Sequence, residues 1–150
     1  MTFENEEQLK KFLLEKCEKA VSNTEEKIHR EFADNLNQFY MEYDPEEYIR
    51  TGALFDALES TGTTRIGNSV GAKVYFNTPR YRHGLVPLQS GDLGYSYWDD
   101  KYILDVAMTN SLPHGGYEDG TPIWTTSMKS LGGKSGIKHL LKQELKKQGL

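Results

Sequence analysis

The sequence predicts an α+β domain: a long N-terminal helix, a small antiparallel β-sheet and a C-terminal helix packed on that sheet. Three observations predict it. Apolar residues between Asn5 and Tyr43 recur at intervals of three and four, with no Gly or Pro among them. Two runs of strand character, Val70–Asn77 and Lys101–Thr109, stand between turn-rich stretches. A basic amphipathic helix, Ser135–Gln148, follows Gly132-Gly133. Helices at both ends with strands between them, and no strand–helix alternation, is the α+β arrangement.

The first element is drawn by Leu9, Phe12, Leu13, Ala20, Val21, Ile28, Phe32, Leu36, Phe39, Tyr40 and Tyr43. At ~1.5 Å per residue such a helix runs for roughly 55 Å. A domain of this size has a radius of gyration of roughly 15 Å, so a straight helix cannot be covered along its whole length. Either the helix projects and meets a partner, or it breaks into a two-helix hairpin at Ser22-Asn23-Thr24-Glu25, where Ser22 and Glu25 have capping-box spacing. The helix is expected to end near Tyr43, because Pro45 biases Asp44 away from helix. Asp44 as a cap, Pro45 as a first helical residue and Glu46-Glu47 behind it predict a short second helix, with Gly52 able to stop or bend it.

Residues Ser60 to Ser69 are rich in Gly, Ser and Thr and are expected to form a loop. Val70–Asn77 is the first strand, ended by Pro79. Tyr81–Gly94, with Gly84, Pro87, Gly91, Asp92 and Gly94 scattered through it, is expected to be a long loop with room for one short strand. Asp99-Asp100 mark a turn into the second strand, Asn110–Thr121 is again turn-rich, and Pro122–Thr126 is expected at a sheet edge. In the last helix Ile137, Leu140, Leu141 and Leu145 share one face, and Lys138, Lys142 and Lys146 share another. The whole is expected to be one domain, 1–150: a helical part over 1–58, sheet and long loops over 59–128, and the basic helix over 129–150.

Hydrophobic residues make up 37% of the 150 and charged residues 27%, a thin filling for a compact globule. The net charge of −4 hides an asymmetry. Residues 1–50 hold thirteen acids and seven bases (−6), 51–128 eight and five (−3), and 129–150 one and six (+5). An acidic front and a basic tail can pair within a chain or between neighbouring copies. The single cysteine, Cys17, excludes an intrachain disulfide. No apolar run has the length of a membrane span or the form of a signal peptide, so a chain made in a cytoplasm and independent of membranes is expected.

The corner after the long helix concentrates unusual residues: Tyr40, Tyr43, Pro45, Tyr48, Arg50, Thr51 and Leu54. Within it Arg50 can stack on a tyrosine ring and fork onto Glu46 or Glu47, fixing the angle between helix and sheet. The spacing resembles the Y-x-P-x-x-Y-x-R-T-x-x-L signature of the head–tail joining, or tail-completion, minor structural proteins of long-tailed bacteriophages. Tyr117-Glu118-Asp119-Gly120-Thr121 is similar to a second element of those proteins, hydrophobic-E-x-G-T. Ala57 replaces a serine common in that family, and Asp119 stands where an apolar residue is usual. The resemblance implies a non-enzymatic virion protein assembled in the host cytoplasm as a homo-oligomer, a hexameric ring. It implies a place at the head–tail junction or tail end, with other neck and tail proteins as partners. Loop residues Tyr81, Arg82, His83, His114, Tyr117, Glu118, Gly120 and Thr121 are the expected partner contacts.

Several residues raise other chemistries. His83, Asp92, His114 and Asp119 are the right residue types for a small metal-dependent hydrolase or nuclease, but they follow no helix-borne or hairpin-borne ligand spacing. His29 and His139 sit among charged helical neighbours, as surface histidines do. Gly132-Gly133-Lys134-Ser135 lacks the earlier glycine of a phosphate loop, that position being Met128. Arg65, Arg80 and Arg82 among Tyr75, Phe76 and Tyr81 resemble a nucleic-acid patch, yet the section is net acidic, and a protein interface accounts for them equally well. No serine occupies a nucleophile elbow. No catalytic residue, metal or cofactor is therefore expected, and no specific nucleic acid. A monomeric protein-binding module is the remaining alternative.

Overall fold

The computed structural model describes residues 2–41, 53–77, 85–87, 93–95 and 123–150. Within them lie helix α1 (Glu6–Met41), a helical turn α2 (Ala53–Asp56) and strands β1 (Leu58–Ser60), β2 (Thr64–Ile66), β3 (Ser69–Gly71) and β4 (Val74–Phe76). Strands β5 (Leu85–Pro87) and β6 (Leu93–Tyr95) follow, then α3 (Ile123–Ser130) and α4 (Gly133–Lys147). The mixed class is as expected, with a long leading helix, small antiparallel strand pairs and helices at the end.

Helix α1 is a single rod of 36 residues, which corrects the two-helix hairpin. The capping signal at Ser22–Glu25 fails because the surrounding helix uses those residues differently. The Thr24 hydroxyl donates back to the carbonyl of Ala20 at 2.7 Å, and both Thr24 and Glu25 are buried. At ~1.5 Å per residue the rod spans roughly 54 Å.

The expected loop at 60–69 is instead half of a hairpin. β1 pairs antiparallel with β4 in the register Leu58–Phe76, Glu59–Tyr75, Ser60–Val74. β2 pairs with β3 as Thr64–Gly71, Arg65–Val70, Ile66–Ser69. The two ladders form one bulged hairpin. Thr61 N donates to Lys73 O at 2.9 Å, after which Gly62 and Thr63 oppose Ala72 alone. Gly62 has φ 65°, the left-handed conformation a bulge of this kind requires. The turn between β2 and β3 is Gly67-Asn68, with Gly67 at φ 58°. That Gly-Asn pair is the hairpin signal the composition of 60–69 concealed. The expected strand Val70–Asn77 is accordingly split at the bulge into β3 and β4. In 81–94 two short strands, β5 and β6, pair antiparallel where one was expected.

Pro122–Thr126 is not an edge strand: from Ile123 the chain is helical. Ile123, Ser127 and Leu131 recur every four residues and all three are buried, so the helical period wins over a short apolar run. Helix α4 begins at Gly133, two residues before the expected start. It runs antiparallel along α1 rather than lying chiefly on the sheet, with Glu144 against Asn23 and Lys27. The strand Lys101–Thr109, the corner over 42–52 and the turn-rich stretch 110–121 lie outside the described residues.

One core joins these parts. Phe32, Leu36, Leu54, Ala57, Leu58, Ile123 and Leu131 form it, flanked by Ile28, Phe39, Tyr40, Val74, Phe76, Met128, Ile137 and Leu140. Phe32 is its pivot, with ring centroids 6.0 Å from Phe76 on the hairpin and 5.2 Å from Trp124 on α3. The C-terminal half of α1 is thus sandwiched between the hairpin and the two closing helices. Among the described residues none before Ala20 is buried, so the first third of the rod stands clear of the described core.

Within α3 the Ser127 hydroxyl is fully buried and has no hydrogen-bond partner among the described residues. An unsatisfied buried hydroxyl costs stability, and alanine is the better helix former. Ser127→Ala is therefore expected to raise stability by about 1 kcal/mol in urea unfolding. A loss of stability would mean that the hydroxyl has a partner.

Candidate functional site

The expected corner is described at its two ends only. Tyr40 is half-buried, packing edge-on against Phe39 with centroids 5.8 Å apart, and Leu54 is buried. Both join the same core cluster, so the chain on either side of the corner converges there. Tyr43, Pro45, Tyr48, Arg50 and Thr51 lie outside the described residues. So do the loop residues Tyr81, Arg82, His83, His114, Tyr117, Glu118, Gly120 and Thr121, and with them Asp92 and Asp119 of the hydrolase alternative. Among the described residues no group of three or more His, Cys, Asp or Glu side chains could hold a metal ion. None of their helices is long and apolar enough to cross a membrane.

What the described residues do offer is a set of surfaces on α1. On one side the hairpin lies along the rod toward its N-terminus. Phe76 meets Phe32 near the hairpin base, and Arg65 Nε donates to Glu18 Oε1 at 2.7 Å near the tip. That ion pair pushes the Arg65 pKa further up, chiefly through its hydrogen bond to Glu18.

On the other side α4 is locked by Glu144. This side chain is 2% exposed, and its Oε1 accepts from Lys27 Nζ at 2.6 Å and Lys147 Nζ at 2.7 Å. Its Oε2 accepts from Asn23 Nδ2 at 3.1 Å. A buried carboxylate is tolerated only when paired in this way. Its hydrogen bonds from Lys147, Lys27 and Asn23 outweigh desolvation and hold its pKa down at about 2, while the Lys147 ammonium is pushed up. Sequence reasoning passed over Glu144, although a signal existed. It is the only acid among residues 129–150, and it falls on the face of Ile137, Leu140 and Leu141.

The pH dependence follows from that carboxylate. Its folded pKa lies below the ordinary 4.5, so its contribution is complete above about pH 4.5 and is lost as pH falls toward about 2. Thermal unfolding between pH 7 and pH 2 should show wild type losing stability across that window. Glu144→Gln should start lower at pH 7 and converge with wild type near pH 2; parallel curves would remove Glu144 as the acid-sensitive group.

Between α1 and the α3–α4 corner lies an open groove of about 510 Å³. Its charged lining comes from α1 alone, namely Lys27, Arg30, Glu31 and Asp34, facing His139 and Gln143 of α4. His139 Nε2 and Gln143 Nε2 are 2.9 Å apart, and Lys27 is already engaged by Glu144. Two bases, Lys27 and Arg30, are followed along this wall by two acids, Glu31 and Asp34, so their charges balance and it presents no single-sign field to a small charged ligand.

The remaining surface is the N-terminal third of α1. Leu9 and Leu13 are each 38% exposed there. Phe12 packs against Phe3 at 5.2 Å and carries Lys16 Nζ 5.4 Å from its ring centroid. This is an apolar stripe on a projecting rod, a feature of contact surfaces. A protein-family model described as YomN matches residues 5–147. Comparison with curated proteins and with solved structures gives no match.

Proposed function

The chain belongs to the YomN family, whose phage-derived name makes it a phage-associated protein, and on that premise we propose a structural role within the virion. In this reading it is a minor structural protein of a long-tailed phage, acting at the head–tail junction or tail end. It assembles in the host cytoplasm as a homo-oligomer, a hexameric ring, and binds other neck and tail proteins. It works without catalysis, cofactor, membrane or specific nucleic acid.

The observation that carries the reading is the length of α1 set against its cover. The rod has 36 residues, yet among the described residues none before Ala20 is buried. A subunit that holds an amphipathic helix away from its own core is built to be completed by neighbours. The tyrosine–proline–arginine spacing over Tyr43–Leu54 supports the same conclusion from the sequence side.

A nonsense mutation in the phage gene tests the role directly. Filled heads and free, unjoined tails in the non-permissive host are the expected products. Normal yields of infectious particles lacking this protein would overturn the assignment. Light scattering with negative-stain imaging of the purified protein tests the ring separately.

A further inference from the structure

The stripe on the free end of α1 has the spacing of a helix–helix contact. Leu9, Leu13, Lys16, Ala20, Asn23 and Lys27 follow one another at alternating intervals of four and three, the spacing of a helix–helix seam. α4 covers the later part of this seam, through Glu144 on Asn23 and Lys27. The seam continues as Leu9 and Leu13 where α1 has outrun the core. We propose that this end of α1 pairs antiparallel with the same segment of a second copy, Leu9 against the second copy's Leu13 and Glu6 against its Lys16.

The charges favour this occupant over an unlike protein. An antiparallel two-fold that brings residue 9 opposite residue 13 also brings residue 6 opposite residue 16, by the same register. Glu6 and Lys16 flank the stripe at its two ends, so each copy supplies one acid and one base to two symmetric pairs. Lys11 falls at the centre of the register but on the opposite side of the helix, away from the contact. A parallel pairing would set Glu6 against Glu6 and Lys16 against Lys16. The contact is isologous, so it closes as a pair and leaves the other surfaces of each subunit free. It rests on the same bare end of α1 that carries the virion reading, and it leaves a ring to be built through the other faces of each subunit.

Two short helical segments bury less than a permanent interface does, so the pairing belongs to the weak class, half-dissociated at about tens of micromolar. Sedimentation equilibrium of the full chain over a wide concentration range is the experiment. Wild type is expected to gain a two-copy species as its concentration rises. Leu13→Asp should weaken that association at least tenfold with an unchanged circular dichroism spectrum, its site being already exposed. Glu6→Lys and Lys16→Glu should each weaken it, and an equimolar mixture of these two variants should restore it, because each mixed pair again holds opposite charges. A monomer at every concentration overturns the pairing and gives the stripe to an unlike partner. Association that ignores Leu13→Asp, or singles that do not rescue each other, also overturns it, and neither result touches the assignment to the virion.

Discussion

Leu36→Ala is expected to remove about 2–5 kcal/mol of stability, among the largest losses available to a single side chain here. Leu36 is fully buried on α1, within the cluster that includes Leu54 and Leu58 on the hairpin side and Ile123 and Leu131 on the helical side. The cost is the lost transfer free energy of the deleted atoms plus the cavity they leave. The cavity can shrink only if both layers shift toward α1 together. Folded domains hold only about 5–15 kcal/mol in all, so a melting temperature lower by roughly 10 °C is expected in calorimetry. Leu9→Ala is the matched control. The same chemical change at a residue 38% exposed should move stability by no more than about 0.5 kcal/mol. Equal effects at the two positions would mean that the core does not lie where the structure has it.

Gly136→Ala is the second large effect, and it arises from too much matter rather than too little. A Cβ at this position would lie 1.8 Å from the carbonyl oxygen of Leu131 and 2.7 Å from its carbon. Both are backbone atoms, so no side chain can swing aside to make room. Leu131 is itself tied down: its amide donates to Ser127 O at 3.0 Å and its side chain is buried. The α3–α4 corner must open, drawing α4 off α1 and loosening the Glu144 anchor. A loss of about 3 kcal/mol is expected in chemical denaturation. Gly71→Ala, with nothing within 4 Å of the added carbon, should by contrast be nearly silent. If Gly136→Ala were silent too, the corner would be packed more loosely than the structure has it.

These two residues differ in how openly the sequence announces them. Leu36 belongs to a stripe repeating at three and four, and its burial could be expected from that period alone. Gly136 follows two other glycines at a helix start and looks like one more turn residue. Its role depends on a contact with Leu131 across the corner, which no local pattern encodes. Glu144 is intermediate, an acid on an apolar face with one partner, Lys147, three residues away and two, Asn23 and Lys27, more than a hundred residues earlier in the chain.

The proposed interface is legible in a similar proportion. That α1 is too long for its own domain follows from counting residues and multiplying by the helical rise. Which third is left bare, and that Leu9, Leu13 and Lys16 prolong the seam used by α4, required the packing. The corner at Tyr43–Thr51 and the loops bearing His83 and His114 stand out by residue type and spacing, and they lie outside the described residues.

The sequence by itself determined the helices α1 and α4, the mixed class and the charge asymmetry, because each is a sum or a period over neighbouring residues. Tertiary structure alone decided that α1 passes unbroken through Ser22–Glu25, that Ile123–Ser130 is helix rather than edge strand, and that α4 lies on α1. In each case the local preferences are nearly balanced, and burial against residues distant in sequence, worth about 1.5–3 kcal/mol per apolar side chain, tips the balance.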